Sequence, residues 1–228
     1  MAFDLSKIEK TRPTKDLNSM NILLYGLPKV GKTTFAAEFD NALFLATEQG
    51  HNFVSVEKVD VQDWRGVYEI FSALKTQEHK YKTIIIDIVD LFHKLCERHV
   101  MSINGAVHPS DLPYGKGFSL VRDEFVKVVN GINMMGFGMV FISHAKEKEL
   151  KKKDASWTYM TTTMTGAAEN IVCGMCDLIL YCYIDKDGSR LMRTKPTPYV
   201  NAGDRSGALP EIMPMSFKAL SDAFKGKK

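Results

Sequence analysis

Residues with the types and spacing to bind phosphate form one short stretch: Gly26-Leu27-Pro28-Lys29-Val30-Gly31-Lys32-Thr33. Two glycines separated by four residues, followed by Lys and Thr, let consecutive backbone N–H groups curl around phosphate oxygens where a helix begins. The Lys32 amine is expected to reach the outer phosphates, and the Thr33 hydroxyl to bind a Mg²⁺ ion that bridges them. Together with Thr34, the stretch predicts a binding site for ATP or another nucleoside triphosphate.

Acidic residues at two predicted strand ends are candidates for holding the metal ion and for orienting water. Asp87 ends the β-favouring run 83–86 and is predicted to hold Mg²⁺ through water, opposite the phosphate loop. Many ATPases carry a glutamate directly after this aspartate to orient the attacking water, but this sequence has Ile88 there. The nearest alternative is Glu48, just after the predicted strand 42–46, because strand ends surround the ligand crevice of a parallel sheet. An ordinary solvated loop acid is the other interpretation of Glu48.

Hydrophobic patterns predict the elements that hold these residues. Short apolar runs typical of strands buried on both faces occur at 21–25, 42–46, 83–87 and 139–143. Apolar residues at helical spacing predict helices at 32–39, 64–74, 91–100 and 120–132. A hairpin is predicted from the runs 178–183 and 191–195, because the Asp-Gly between them suits a tight turn. This order predicts an α/β fold with a mainly parallel sheet flanked by helices and a C-terminal antiparallel hairpin extension.

Composition sets limits on the class of protein. The 228 residues, 45% hydrophobic and 25% charged, are enough for one ordinary globular core. A net charge of +3 is too small to imply nucleic acid, so that argument needs local clustering. The leader 1–17 lacks the apolar core of a signal peptide, and the longest apolar stretch, 134–142, is too short to span a bilayer. We therefore expect a soluble cytoplasmic protein with no membrane partner.

The four cysteines are too few for a disulfide framework, which fits a reducing compartment. Cys173 and Cys176 form a C-x-x-C pair with Cys182 nearby, but no second pair completes the four ligands of a zinc site. The two interpretations are a metal or redox site, and small buried residues at the entry to a strand. We favour the second.

The nucleotide-site residues together resemble the RecA-like P-loop ATPases, in which the water-activating glutamate ends the strand after the phosphate-loop helix, as Glu48 does here. The segments 111–117, 141–144 and 204–207, with the short length, look more closely like the short RecA-like, AAA-type nucleotide-binding proteins of bacteriophages. Some of that family anneal single strands during recombination. The division that we derive is a leader at 1–19, a RecA-like core at 20–195, and a C-terminal extension with a terminal helix at 196–228.

The resemblance implies further site residues. His144 occupies the position of the polar sensor of the terminal phosphate, although RecA itself has a glutamine there. Arg193 and Lys195 look like the paired basic residues that reach the nucleotide of a neighbouring subunit, where they would stabilise phosphate charge in trans. The other interpretation of this pair is an exposed basic edge strand that blocks aggregation.

The segment after His144 lies where RecA-like proteins carry a mobile single-strand-binding loop. Lysines neutralise phosphates and aromatic rings stack on unpaired bases without sequence preference. The candidate DNA-binding residues are Lys146, Lys148, Lys151, Lys152, Lys153, Trp157 and Tyr159. A solvated charged surface is the alternative, because Glu147, Glu149 and Asp154 dilute the positive charge.

The residues and the resemblance together imply an ATP-binding, Mg²⁺-dependent ATPase that binds single-stranded DNA and promotes annealing or homologous recombination. We expect a homo-oligomer, either a ring or a filament, with slow, DNA-modulated turnover and a single-strand-binding protein as a partner in the host cytoplasm. Two alternatives stay open. A loader or motor ATPase acting on a protein partner in phage DNA replication would share nearly every nucleotide-site residue. A small-molecule kinase would fit the size, but we find no clear acceptor site or Arg-rich lid.

Overall fold

The computed structural model describes residue 10, residues 13–152 and residues 155–226. Ten strands occur in these residues: β1 (Asn21–Gly26), β2 (Ala42–Ala46), β3 (Lys58–Asp60), β4 (Thr83–Asp87), β5 (Gly138–Lys152), β6 (Ala155–Thr162), β7 (Leu178–Ile184), β8 (Arg190–Arg193), β9 (Gly203–Asp204) and β10 (Ile212–Pro214). The same residues form six α-helices: α1 (Lys32–Ala36), α2 (Trp64–Thr76), α3 (Val89–Ile103), α4 (Lys116–Met134), α5 (Gly166–Met175) and α6 (Phe217–Lys225).

The strands form a mixed sheet whose order is β10-β8-β7-β1-β5-β4-β2-β3, with β6 beside β5 and β9 beside β7. Strand β1 lies between β5 and β7 and is parallel to both. Strands β4, β2 and β3 continue the parallel part of the sheet to its edge. Strands β8, β9 and β10 are antiparallel to their neighbours. The predicted α/β fold, with a mainly parallel sheet and an antiparallel C-terminal extension, is confirmed.

The sheet buries apolar side chains on both faces, because successive residues of a strand point to opposite sides. In β4, Ile84 and Ile86 join the core beneath α2, α3, α4 and α5, whereas Ile85 joins the core beneath α1 and α6. In β1, Leu23 and Leu24 divide between the two cores in the same way. Packing on both sides fixes these strands, and so fixes the residues at their ends. Among the described residues, no helix combines the length and the apolar character needed to cross a bilayer.

Two strands differ from the sequence prediction. The predicted strand 139–143 is only the first part of β5, which continues to Lys152 and pairs with β6 as an antiparallel hairpin. The segment expected to be a polar mobile loop therefore has regular cross-strand hydrogen bonds. Strand β3 was not predicted, because it has three residues of which only Val59 is partly buried. Neither segment has the apolar alternation from which strands are predicted.

The terminal segments both contact the central sheet layer. Leu17 is buried at the start of a short 3₁₀ turn that leads into β1. Strand β10 pairs with β8, and Leu220 and Phe224 of α6 belong to the same buried cluster as residues of β1. The division proposed from the sequence stays a prediction: leader 1–19, core 20–195 and C-terminal extension 196–228.

Candidate nucleotide-binding site

The candidate site lies along the edge of the sheet where the parallel strands β1, β2 and β4 end. Gly26, the last residue of β1, is level with His144 of β5 on one side and with Cys182 of β7 on the other. Asp87 ends β4 and is level with Ala46, the last residue of β2. Because parallel strands end at the same edge, the loops that follow them surround one crevice. The predicted phosphate loop, metal-side acid and sensor position therefore share this edge.

The loop after β1 has a conformation that requires its glycines. A Cβ on Gly26 would overlap the carbonyl oxygen of Cys182 in the neighbouring strand. Gly31 has a φ of 105° and directly precedes α1, and Lys29 also has a positive φ, of 67°. Left-handed residues in a tight loop are the backbone geometry from which anion-binding concavities form. The loop 26–33 therefore has a backbone suited to phosphate.

We expect Gly26→Ala to destabilise the protein. The added Cβ would overlap the Cys182 oxygen and lie 3.1 Å from its carbonyl carbon, so β1 and β7 would have to separate locally. Such overpacking costs about 1–3 kcal/mol, which thermal unfolding would detect as a lower melting temperature. Gly131→Ala is the matched control, because a Cβ at this position in α4 meets nothing within 4 Å. An unchanged melting temperature for Gly26→Ala would contradict the close approach of the two strands.

The Lys32 side chain is buried and folds back over its own loop. Its Nζ donates hydrogen bonds to the carbonyl oxygens of Gly26 and Leu27, each at 2.9 Å. Burial lowers the pKa of the Lys32 amine. Electrostatic interactions act in the opposite direction, those with Cys182, Asp87, Glu48 and Asp90. The amine therefore lies within electrostatic range of three carboxylates and within hydrogen-bond distance of two carbonyl oxygens of its own loop.

Asp87 is buried, and one of its oxygens contacts two side chains. Thr33 Oγ1 donates a hydrogen bond to Asp87 Oδ2 at 2.9 Å, and His51 Nε2 lies 3.2 Å from the same oxygen. A hydroxyl beside a carboxylate supplies hard oxygen ligands of the kind that Mg²⁺ prefers, with phosphates and water completing its shell. Among the described residues, no cluster of three or more His, Cys, Asp and Glu is placed to hold an ion. The pair therefore fits a Mg²⁺ ion that arrives with the nucleotide.

His51 is a residue of the site that the sequence did not reveal. It is buried, and its ring packs edge-on against Phe44, with centroids 5.7 Å apart. Nδ1 of the ring is also buried and has no hydrogen-bond partner among the described residues. No motif spacing points to this histidine, because the path of the loop after β2 brings it back to Asp87.

Thr47 joins the ends of β2 and β4. Its Oγ1 donates to the carbonyl oxygen of Ile88 and accepts from the Ile88 N–H, both at 2.9 Å. The backbone N–H of Thr47 also donates to the carbonyl oxygen of Asp87, at 2.8 Å. These bonds fix the backbone from which the next residue, Glu48, extends.

Glu48 itself is exposed in the loop after β2. Among the described residues, no hydrogen bond or ion pair restrains its carboxylate, yet the carboxylate is close enough to raise the pKa of Lys32 against the effect of burial. The same loop lines a cleft of about 660 Å³ to which Lys94 and Arg98 of α3 also contribute. The geometry therefore leaves the Glu48 carboxylate free to turn toward either the phosphate loop or this cleft.

His144, the predicted sensor residue, is half-buried and linked to the segment after β6. Its carbonyl oxygen accepts a hydrogen bond from the N–H of Thr163, at 2.9 Å. The hydroxyl of Thr163 donates to Asp90 Oδ1 at 2.6 Å, while Asp90 Oδ2 and His144 Nδ1 are buried without a partner among the described residues. Asp90, in the first turn of α3, is a second acid near the site that sequence reasoning missed, although its place three residues after Asp87 could have pointed to it.

Arg193 and Lys195, predicted to act on a neighbouring subunit's nucleotide, both form ion pairs within the chain. Arg193 pairs with Glu211, and Nζ of Lys195 lies 2.8 Å from Asp204 Oδ2. Two effects act on the pKa of the Asp204 carboxyl. Burial raises it, but hydrogen bonds, of which that from Lys195 is the largest, lower it further, so the pKa is below its usual value. A role in trans, which stays a prediction, requires these ion pairs to open.

The β5–β6 hairpin places Lys146 and Lys148 on the face opposite Glu147 and Glu149. Residues that are directly opposite each other in antiparallel strands lie on the same face. Lys146 is opposite Thr161, Lys148 is opposite Tyr159, and Leu150 is opposite Trp157. One face, which we call the lysine–aromatic face, therefore carries Lys146, Lys148, Leu150, Trp157 and Tyr159. The other face carries Glu147, Glu149 and Lys151.

The remaining contacts of the hairpin refine the list of candidate DNA-binding residues. Lys151 Nζ lies 3.1 Å from Glu149 Oε2. Both residues are on the face opposite the lysine–aromatic face, so Lys151 does not share a face with Lys148. Trp157 Nε1 donates to the carbonyl oxygen of Pro198 at 2.9 Å, and Tyr159 is half-buried. Lys152 is the last residue of β5. The predicted DNA-binding residue Lys153 lies outside the described residues.

The C-x-x-C pair lies in and just after α5. Burial raises the pKa of Cys173 to about 11 and raises that of Cys176 well above its usual value. Both side chains are therefore protonated thiols at neutral pH, whereas metal binding and thiol exchange need the thiolate. Burial and protonation favour the packing interpretation of this pair.

Comparison with known proteins places the chain in a family. The sequence model described as an AAA domain matches residues 18–206, which is most of the chain. The chain is also similar to the SPbeta prophage-derived uncharacterized protein YorG of Bacillus subtilis (strain 168), with 29% identity over 160 residues. That alignment covers 67% of this chain and 49% of YorG, so the chain spans about half the length of this relative. The matched range includes the phosphate loop, Asp87 and the β5–β6 hairpin, and the chain belongs to the AAA-domain family of P-loop ATPases.

Proposed function

We propose that this protein is a Mg²⁺-dependent, RecA-like ATPase that binds single-stranded DNA on its β5–β6 hairpin and promotes annealing or homologous recombination. It acts as a homo-oligomer in the cytoplasm of a phage-infected or prophage-bearing cell, where a single-strand-binding protein is an expected partner. The prophage origin of the similar protein YorG supports the phage context. The family membership supports ATP binding and hydrolysis.

The observation that carries the proposal is the connection between the hairpin and the nucleotide edge. His144 belongs to the same strand as Lys146 and Lys148, and the returning strand is held to it by the Thr163 N–H. Thr163 also donates to Asp90, whose carboxylate raises the pKa of the Lys32 amine. A change at the terminal phosphate therefore has a short, hydrogen-bonded path to the surface that binds DNA.

The proposed reaction is in-line attack of water on the γ-phosphorus, which breaks the bond to the β–γ bridging oxygen and yields ADP and phosphate. Glu48 orients the water and accepts its proton. Lys32 holds the outer phosphate oxygens, and Thr33 and Asp87 supply the protein side of the metal shell. Mg²⁺, when bound, neutralises charge on the β- and γ-phosphate oxygens. His144 senses whether the terminal phosphate is present.

We expect Lys148→Glu to weaken single-stranded DNA binding more than Lys151→Glu does. The two substitutions change charge equally and lie three residues apart on one strand, but only Lys148 is on the lysine–aromatic face. Reversing the charge of one lysine that contacts phosphate should weaken binding by about tenfold and make the affinity less dependent on salt. Gel shifts with an unstructured oligonucleotide at several salt concentrations measure both effects. Equal losses for the two variants would contradict binding on this face.

A second experiment separates the proposed function from its alternatives. ATP hydrolysis is measured with and without single-stranded DNA, and DNA binding is measured with ATP, with ADP and without nucleotide. The proposal is supported if DNA changes the rate of ATP hydrolysis and if the bound nucleotide changes the affinity for DNA. If DNA neither binds nor changes turnover, the recombination function fails and a loader or motor acting on a protein partner becomes the better assignment. Phosphate transfer to a small molecule instead of water would indicate a kinase.

A further inference from the structure

Arg190, which belongs to no motif of the sequence, lies against the phosphate loop. A Cβ placed on Gly31 would fall 3.3 Å from Nη1 of Arg190 and 3.4 Å from its Cδ and Cζ. The guanidinium therefore lies next to the space beside Gly31, the residue that directly precedes Lys32. A cation in this position is close to any anion that the loop binds.

The register of the sheet explains why Arg190, and not Arg193, reaches the loop. Strand β7 is parallel to β1, and its last residue, Ile184, extends past the end of β1 toward the nucleotide edge. Arg190 is level with Ile184, whereas Arg193 is level with Tyr181, farther into the sheet. The first residue of β8 therefore emerges at the nucleotide edge, and the later basic residues do not.

The backbone of Arg190 is held while its side chain is not. Asp185 Oδ1 accepts hydrogen bonds from the N–H groups of Asp187 and Ser189, at 3.0 and 2.8 Å, which fixes the turn before β8. The carbonyl oxygen of Arg190 accepts from Met215 N–H at 3.0 Å. Among the described residues, no ion pair or hydrogen bond engages its guanidinium, in contrast to Arg193. Arg190 thus has a fixed backbone and an exposed guanidinium that no acid of the described residues pairs with.

We propose that Arg190 binds the phosphate chain of the nucleotide held by the loop of its own subunit. The inference rests on nucleotide binding at this loop, as proposed above. A phosphate oxygen bound by a loop N–H lies about 3 Å from that nitrogen, and Nη1 of Arg190 lies 3.3 Å from the position that a Cβ of Gly31 would occupy. Guanidinium groups bind phosphate oxygens with two parallel hydrogen bonds and keep their charge at every physiological pH. Arg190 thus differs from Arg193 and Lys195, whose proposed target is a neighbouring subunit.

The test compares nucleotide affinities of the wild type, Arg190→Ala, Arg190→Lys and the control Arg65→Ala, using a fluorescent ATP analogue and Mg²⁺. Arg65 is exposed on α2 and pairs only weakly with Glu69, at 3.5 Å. We expect about a tenfold or greater loss for Arg190→Ala, a smaller loss for Arg190→Lys, and no change for Arg65→Ala. The affinity for inorganic pyrophosphate, measured by competition, should fall by a similar factor in Arg190→Ala, because the proposed contact is to phosphate. Circular dichroism checks that each variant is folded.

Several outcomes would overturn the inference. Wild-type affinity in Arg190→Ala would remove Arg190 from the site while leaving the proposed function intact, whereas a wild type that binds no ATP would remove both. Weaker ATP binding with unchanged pyrophosphate competition would place Arg190 on the base or ribose and reject the phosphate contact. Binding restored by mixing Arg190→Ala with Lys32→Ala subunits would show that the contact is made in trans and reject the assignment to the same subunit.

Discussion

Lys32→Ala should lose ATP binding by about a hundredfold while the protein stays folded. ATP binding should fall because Lys32 is the buried lysine of the phosphate loop. The fold should survive because the amine bonds only to the main-chain oxygens of Gly26 and Leu27, which water can also satisfy. A charge-assisted hydrogen bond to phosphate contributes about 1.5–3 kcal/mol, and Lys32 is expected to make more than one. Titration with a fluorescent ATP analogue measures the affinity directly.

Thermal unfolding provides a second measurement for Lys32→Ala. ATP raises the melting temperature of a protein that binds it only when folded, so this rise should be present in the wild type and absent in the variant. Lys75→Ala is the control, because Lys75 is exposed at the end of α2, remote from the phosphate loop in the fold. If Lys32→Ala bound ATP as tightly as the wild type, residues 26–33 would not be the nucleotide site.

Glu48→Gln should bind ATP within about threefold of the wild type and hydrolyse it at least about a hundredfold more slowly. The amide keeps the size and hydrogen-bonding reach of the side chain but cannot accept the proton of the attacking water, and general bases typically contribute 10²- to 10⁴-fold. Because the carboxylate has no partner in the described structure, its replacement disturbs no ion pair. Single-turnover hydrolysis with saturating ATP and Mg²⁺ separates chemistry from product release.

The control for this substitution is Glu78→Gln, which makes the same change at an exposed loop position after α2. Normal turnover in Glu48→Gln would reject Glu48 as the group that orients water. Asp90 would then be the next acid to test, since one of its oxygens is buried without a partner and the carboxylate raises the pKa of Lys32. Asp90→Asn distinguishes the two acids in the same assay.

The parts of the fold that were predictable are those in which one local pattern determines the structure. The phosphate loop follows from glycine and lysine spacing, and β4 follows from an apolar run that ends in Asp87. The hairpin of β7 and β8 follows from Asp-Gly between two β-favouring runs, and it is present as predicted. In each case the residues that specify the element are neighbours in sequence.

The β5–β6 hairpin was not predictable as a strand pair. Its first strand contains Lys146, Glu147, Lys148 and Glu149 in succession. The sign of the charge alternates along the strand, but every one of these residues is polar. Strand prediction depends on one apolar face, and both faces of this hairpin are polar for most of its length. What specifies it is the cross-strand hydrogen bonding to β6, which no pattern within 145–152 encodes.

His51 and Arg190 show why the site was only partly predictable. Each lies near the phosphate loop or Asp87 because separate elements meet at the same edge of the sheet, and neither belongs to a motif with fixed spacing. The roles assigned to Glu48, His144 and the basic pair stay predictions, because the geometry is compatible with each role without testing it. Such residues become visible only when the sheet order is known.

Strand β5 is continuous from Gly138 to Lys152. One strand therefore carries both the buried apolar side chains of the core and the exposed lysines of the hairpin. Eight residues separate His144 from the end of the strand, a length of about 26 Å at 3.3 Å per residue. Over this length β5 stays paired with β6. A tilt of the strand by a few degrees at His144 would therefore displace the backbone of Lys152 farther than that of His144 itself.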